Sequence, residues 1–110
     1  MKTINRMLLA TLLLISAVAQ ADGPWSPEPQ RQAELIHLLR QDCGACHGMR
    51  LLGGLGPALT PQSLNAKPRE FLVTTILEGR AGTPMPPWKP FLTRDEATWL
   101  ATRLKQGIPE

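Results

Sequence analysis

The chain has 110 residues, with 12 Lys and Arg against 9 Asp and Glu, two Cys, two His, 11 Pro, 9 Gly and no Tyr. That length holds one small domain and no second. Its Lys and Arg residues are scattered singly from Arg31 to Lys105, whereas a nucleic-acid binder gathers them on one face or segment, so no nucleic-acid partner is expected.

Residues 1–21 read as an export signal. Lys2 and Arg6 form a basic n-region, Met7 to Val18 an apolar stretch, and Ala19-Gln20-Ala21 an A-x-A cleavage site. The apolar stretch is shorter than the ~20 residues that span a bilayer, and no Cys lies beside the cleavage site to take a lipid. The expected product is therefore exported, periplasmic and without a permanent membrane anchor. Cleavage would leave 89 residues with ten basic and nine acidic side chains, a net charge of +1.

Residues 22–30 hold Pro24, Pro27 and Pro29 and suit an extended, Pro-rich leader. The domain proper is assigned to residues 31–109. Leu35, Leu38, Leu39 and Cys43 recur at helical spacing and predict a first helix over about 29–43, running into the first cysteine. Gly48, Gly53, Gly54 and Gly56 then open a loop ending in Pro57-Ala58-Leu59. Thr60-Pro61 reads as an N-cap with Pro at the first helical position, which begins a short helical turn. Pro68 opens a clearer helix whose apolar face is Phe71, Leu72, Val73, Ile76 and Leu77, and Gly79 stops it. A loop from Arg80 to Leu92 contains Pro84, Pro86, Pro87 and Pro90. In the last helix Thr93 and Glu96 form a capping box, Leu92 and Ala97 a staple, and Gly107 the stop.

No segment alternates with period two, and no repeat is present. The fold class is all-α, three main helices plus long loops. Such a chain, with 20 Gly and Pro, leaves short helices facing one another across poorly filled space, and a flat apolar body in the middle would fill it.

Cys43-Gly44-Ala45-Cys46-His47 is C-x-x-C-H, the attachment spacing of covalent haem. Two thiols at a helix end reach the two vinyl groups on one porphyrin edge, and the adjacent imidazole comes under the iron. A zinc site would need four N or S ligands, and the spare histidine, His37, lies on the opposite helix face from Leu35. A thioredoxin-like dithiol expects a βαβ setting that the sequence lacks. His47 supplies one axial position to iron. For the other, His37 and Met49 lie too close to the attachment motif to swing round the ring, whereas Met85 lies 38 residues beyond His47. Its loop, Thr83-Pro84-Met85-Pro86-Pro87-Trp88, is stiffened by proline and loses less entropy on ordering. The expected metal ligands are therefore His47 and Met85, on one haem c attached through Cys43 and Cys46.

The order C-x-x-C-H, Gly56-Pro57-Ala58-Leu59, Pro-flanked Met85 and a Trp-bearing last helix resembles a class I c-type cytochrome over about Arg31 to Gly107. That resemblance implies three helices around one haem, the first and last crossing, with the Pro57 carbonyl accepting the Nδ1 proton of His47. Trp88 is expected to pack on the porphyrin edge, a propionate bond from its indole being the alternative. Trp99 either clasps the first helix or opens to a partner. Arg50, Arg80 and Lys89 flank the motifs, as solvated charges or as a docking rim.

Gly79-Arg80-Ala81-Gly82-Thr83-Pro84-Met85-Pro86-Pro87-Trp88 with Leu92-Thr93-Arg94-Asp95-Glu96 is similar to the NirC-type small cytochromes of denitrifying bacteria. The likeness implies an electron-transfer protein, not an enzyme. It would carry single electrons to or for a cytochrome cd-type nitrite reductase; the alternatives are electron exchange in d-type haem maturation or service to another periplasmic or terminal oxidoreductase. Its partners would be periplasmic redox proteins, met as a monomer in transient complexes.

Overall fold

A computed structural model describes residues 23–109, so the expected signal at residues 1–21 lies outside them. Among the described residues the regular structure is entirely helical. In chain order these are α1 (Pro29–Leu38), a π turn (Leu39–Cys43), α2 (Gly44–His47), α3 (Pro61–Leu64), α4 (Arg69–Glu78) and α5 (Arg94–Gln106).

The first three run on as one rod, four residues longer than the periodicity predicts. Gly44 takes helical angles, and the stop falls at Gly48, whose φ of +89° a side chain resists. The π turn admits one extra residue and ends on Cys43, the start of C-x-x-C-H. Helix begins at Pro29, inside the segment read as leader, because Pro suits the first helical turn. Ser26 and Pro27 also belong to the folded unit. The Gln32 side-chain amide donates to Ser26 Oγ at 3.2 Å and to the Pro27 carbonyl at 2.8 Å.

The later elements start and stop where the sequence places them. Thr60 caps α3 through Ser63 N at 3.3 Å, and the Thr93/Glu96 box closes with bonds of 2.9 and 3.2 Å. Lys105 of α5 donates to the carbonyls of Leu64, Asn65 and Lys67, satisfying acceptors that the end of α3 leaves open.

The core joins Leu35 and Leu39, Leu64, Leu72, Val73 and Leu77, and Ala97, Leu100, Ala101 and Leu104. Helix α4 packs chiefly on α5, and α1 meets α5 as well. Trp99 is buried with Arg103 stacked over its ring at 5.2 Å, which removes the reading of an indole open to a partner. Phe71, expected in the core, is 47 % exposed because it faces an internal hollow rather than another helix.

The α1–α5 crossing is fastened by Arg31, which donates to Glu96 at 2.6 Å and to Glu34 at 3.0 Å. The Arg31 hydrogen bond lowers the Glu96 pKa against the opposing cost of burial, and the Thr93 backbone N–H adds to the lowering. A carboxylate with a lowered folded-state pKa contributes stability that is fully present above its unfolded pKa, about 4.3. That contribution disappears as pH falls through the lower folded value. Glu96→Gln, which keeps the capping acceptor and loses the charge paired with Arg31, should therefore cost about 0.5–1 kcal/mol at neutral pH. The gap between variant and parent should shrink toward pH 3 in thermal unfolding followed by circular dichroism; a gap that is constant with pH would refute the linkage.

Candidate functional site

One cavity of about 540 Å³ lies between the helices, and all six residues singled out from the sequence, Cys43, Cys46, His47, Pro57, Met85 and Trp88, line it. Its volume is in the ~300–1,000 Å³ range of cofactor pockets. Leu39, Leu72, Leu100 and Leu104 contribute to both the core and this wall, so the hollow is cut into the core itself.

The rod ending in α2 brings the C-x-x-C-H motif to the cavity. Cys43 and Cys46 are half-buried and not joined to each other. Burial, reinforced by the neighbouring Asp42 carboxylate, pushes the Cys43 thiol up to about 11. A redox dithiol needs the opposite shift, toward thiolate. Among the described residues no group of three or more His, Cys, Asp or Glu side chains converges on a metal-binding point.

His47 is set by the glycine loop that follows it. Gly53 N donates to the His47 carbonyl at 2.8 Å and Gly56 N to the Cys46 carbonyl at 2.8 Å, folding the loop back over the helix end. Gly56 then lies flat against the imidazole. A Cβ there would stand 2.7 Å from His47 Cε1, closer than any side chain tolerates. This approach lets His47 Nδ1 donate to the Pro57 carbonyl at 2.6 Å, which fixes the tautomer and leaves the lone pair on Nε2. The hydrogen bond that the resemblance implied is present.

Met85 is held by main-chain bonds at the end of α4. Arg80 N donates to the Met85 carbonyl at 3.2 Å, Trp88 N to the Ile76 carbonyl at 3.0 Å, and Lys89 N to the Leu77 carbonyl at 3.2 Å. Thr83 Oγ1 donates to the Arg80 carbonyl at 2.7 Å and accepts from Met85 N at 3.3 Å. Gly79 makes this possible: at φ +67° and ψ −165° it is in a region open essentially to glycine. A Cβ there would lie 2.6 Å from the Pro86 carbonyl carbon and 2.7 Å from the Met85 oxygen.

Trp88 is half-buried, packed on the core and tilted against Phe91 with ring centres 5.8 Å apart. The two other residues weighed as iron ligands are elsewhere. His37 is exposed on α1, and Met49 lines a separate hollow with Arg40 and Arg50. The three cations read as one docking rim are also dispersed. Arg50 belongs to that second hollow, Lys89 pairs with Glu78 at 2.9 Å, and Arg80 lines the cavity.

Sequence reasoning missed Gly56 and Gly79 as elements of the site, reading the first as part of a turn and the second as a helix stop. The signal was their position, one residue before Pro57 and at the base of the Met85 loop. Lys67, which lies over the Phe71 ring at 5.6 Å on the cavity wall, carried no signal at all.

Residues 30–102 match the family model described as cytochrome C oxidase, cbb3-type, subunit III. Cytochrome c55X of Pseudomonas aeruginosa is 63 % identical over 81 residues, covering 74 % of this chain and 68 % of the relative. The solved structure of the c-type cytochrome NirC superposes with a TM-score of 0.71 at 62 % identity, over 73 % of this chain and 94 % of that one. Dihydro-heme d1 dehydrogenase of Pseudomonas aeruginosa is 39 % identical over 101 residues, 92 % of this chain but 19 % of the enzyme. With a family match across most of the described residues and a solved relative of the same helical fold, the chain belongs to the c-type cytochromes, small electron carriers of class I architecture whose cofactor is haem c.

Proposed function

We propose that this chain is a periplasmic, mono-haem c-type cytochrome that delivers single electrons to or for a cytochrome cd-type nitrite reductase in denitrification. The observation that carries the reading is the meeting of Cys43, Cys46, His47 and Met85 on the wall of one apolar cavity. The donor set suits the group: two thiols for thioether bonds, an imidazole with its lone pair on Nε2, and a soft thioether opposite. The cavity suits it too, since Leu55, 78 % exposed, and Phe71 present bare apolar surface to the hollow.

Haem c, once attached, supplies a one-electron ferric–ferrous couple. The chain's residues govern that couple. Pro57 draws on the Nδ1 proton of His47 and enriches imidazole donation. The Met85 thioether favours the reduced metal and raises the potential relative to a second imidazole. His47 and Met85 would both hold the iron, leaving it to exchange electrons rather than bind substrate, as a carrier does. The domain runs from about Ser26, ahead of the boundary read from sequence, and residues 1–21 act as a cleaved signal. Among the described residues no helix is long and apolar enough to cross a membrane.

A second reading has support of its own. The match to a dihydro-heme d1 dehydrogenase over nearly the whole of this chain favours electron exchange during d-type haem maturation. The two readings separate by stopped-flow mixing of the reduced holoprotein with a cd-type nitrite reductase. Oxidation within the turnover time of the enzyme supports the donor role; no oxidation by the reductase, with reduction of the ferric form by the dehydrogenase, replaces it with the maturation role.

Met85→Ala should abolish the sulfur-to-ferric-iron charge-transfer band, lower the midpoint potential and admit carbon monoxide to the ferrous protein; an unchanged spectrum removes Met85 from the iron. Gly79→Ala should weaken the same band by pushing the Pro86 backbone away. Gly82→Ala should weaken it less, since Gly82 shares the strain of a positive φ, +75°, but has open space around it. Equal spectra for the two glycine variants would show that the close approach at Gly79 has no part in placing the sulfur.

A further inference from the structure

The cavity wall is mostly apolar; beside the two thiols, His47 and the hydroxyls of Ser63, Thr75 and Thr83, its charged side chains are Asp42, Lys67 and Arg80. A cation facing an apolar ligand loses water and gains nothing in return. Most arginines among the described residues are already engaged. Arg31 is bonded to Glu34 and Glu96, Arg94 to Glu70 and Arg40 to the Pro109 carbonyl, while Arg103 lies over Trp99. The Arg80 guanidinium has no ion pair or hydrogen bond among the described residues, although it stands on the cavity wall. Its main chain is firmly held. The N–H donates to Met85 O at 3.2 Å and the carbonyl accepts from Thr83 N at 3.1 Å and Thr83 Oγ1 at 2.7 Å. A planar, five-donor group thus extends from a fixed point beside the cavity.

We propose that Arg80 anchors a propionate carboxylate of the bound haem, an inference that rests on the cofactor reading above. A carboxylate at the edge of an apolar pocket needs a charge-assisted partner, and guanidinium offers two parallel N–H bonds where an ammonium offers a point charge. Lys67 is the weaker candidate. Its ammonium is already over Phe71, and it precedes α4 whereas Arg80 follows it. The 10 residues of α4 separate its ends by about 15 Å at 1.5 Å per residue, so neighbouring carboxylates of one ligand meet a single end. Asp42 repels the same carboxylates and favours an orientation that keeps them away from the start of C-x-x-C-H. Arg80 therefore serves the site twice, its backbone steadying the Met85 loop and its side chain fixing the anionic edge of the cofactor. This takes Arg80 out of the docking rim in which its position in the sequence had placed it.

The test uses the matured holoprotein and resonance Raman spectra of the propionate-bending modes, together with midpoint potentials. Arg80→Gln should shift the propionate-bending band and lower the potential. Arg80→Lys, which keeps the charge but loses the fork, should shift the band less and recover part of the potential; it also serves if the Gln variant fails to mature. Lys89→Gln removes an equal charge outside the cavity and should leave the band unmoved. The methionine–iron charge-transfer band should persist in all three, since the main-chain bonds of residue 80 do not depend on its side chain. A propionate band unmoved in both Arg80 variants overturns the proposal, including the case in which they only slow electron exchange with a protein partner. A wild-type protein without haem absorbance would instead defeat the cofactor reading, a result distinguishable from an unmoved band in a red protein.

Discussion

A cavity of about 540 Å³ in the centre of so short a chain is the constraint around which the other features are arranged. Leu39, Leu64, Leu72, Leu92, Leu100 and Leu104 form the core on one side and the cavity wall on the other. Each apolar side chain contributes roughly 1.5–3 kcal/mol when fully removed from water; those leucines are at most 8 % exposed, and it is Leu55 and Phe71 that remain bare on the wall, at 78 % and 47 %. A flat apolar body in the cavity would cover that bare surface, and reversible binding to the folded chain alone would stabilise it by mass action. In the proposed holoprotein the thioethers add permanence to a fit that the leucines already favour.

The two loops that serve the cavity solve the same problem by the same means. One steadies His47 at the end of α2 and the other carries Met85 to the cavity, neither with a sheet to support it. Each turns back on the end of a helix and binds that helix's carbonyls: Gly53 and Gly56 on His47 and Cys46, Trp88 and Lys89 on Ile76 and Leu77. Such bonds satisfy acceptors that a helix end leaves open. A glycine sits at the closest approach in both cases, Gly56 against the imidazole and Gly79 against the Met85–Pro86 backbone. Proline completes each loop by removing donors that would otherwise need partners.

Charge is organised so as to stay outside this interior. Glu96 is buried but paired with Arg31, Arg94 pairs with Glu70 at the surface, and Lys105 caps α3 from α5. The exceptions on the cavity wall, Asp42, Lys67 and Arg80, therefore stand out. The cations among them lie at the two ends of α4, where an anionic edge of a ligand can be met without burying an unpaired charge.

Local chemistry was legible in the sequence wherever one residue type allows one local geometry. The Thr93/Glu96 box, the Thr60-Pro61 start, the Gly79 and Gly107 stops and the C-x-x-C-H motif each announce themselves over four or five residues, because capping and attachment are short-range events. That His47 and Met85, 38 residues apart, would face one cavity was expected by elimination, since His37 and Met49 lie too close to the attachment motif. What helical periodicity did not reveal was which apolar residues face a helix and which face a hollow: Phe71 and Leu72 are neighbours, yet Leu72 is buried and Phe71 is not. Nor did it reveal that Gly56 and Gly79 are needed for the space they leave, or that Arg80 belongs to the cavity while Lys89 pairs with Glu78. Residue type and spacing determine what a side chain is able to do and how a helix begins and ends. Which groups meet across a cavity is decided only when elements far apart in the chain pack together, because contact distances of a few ångströms are set by that packing and not by position along the chain.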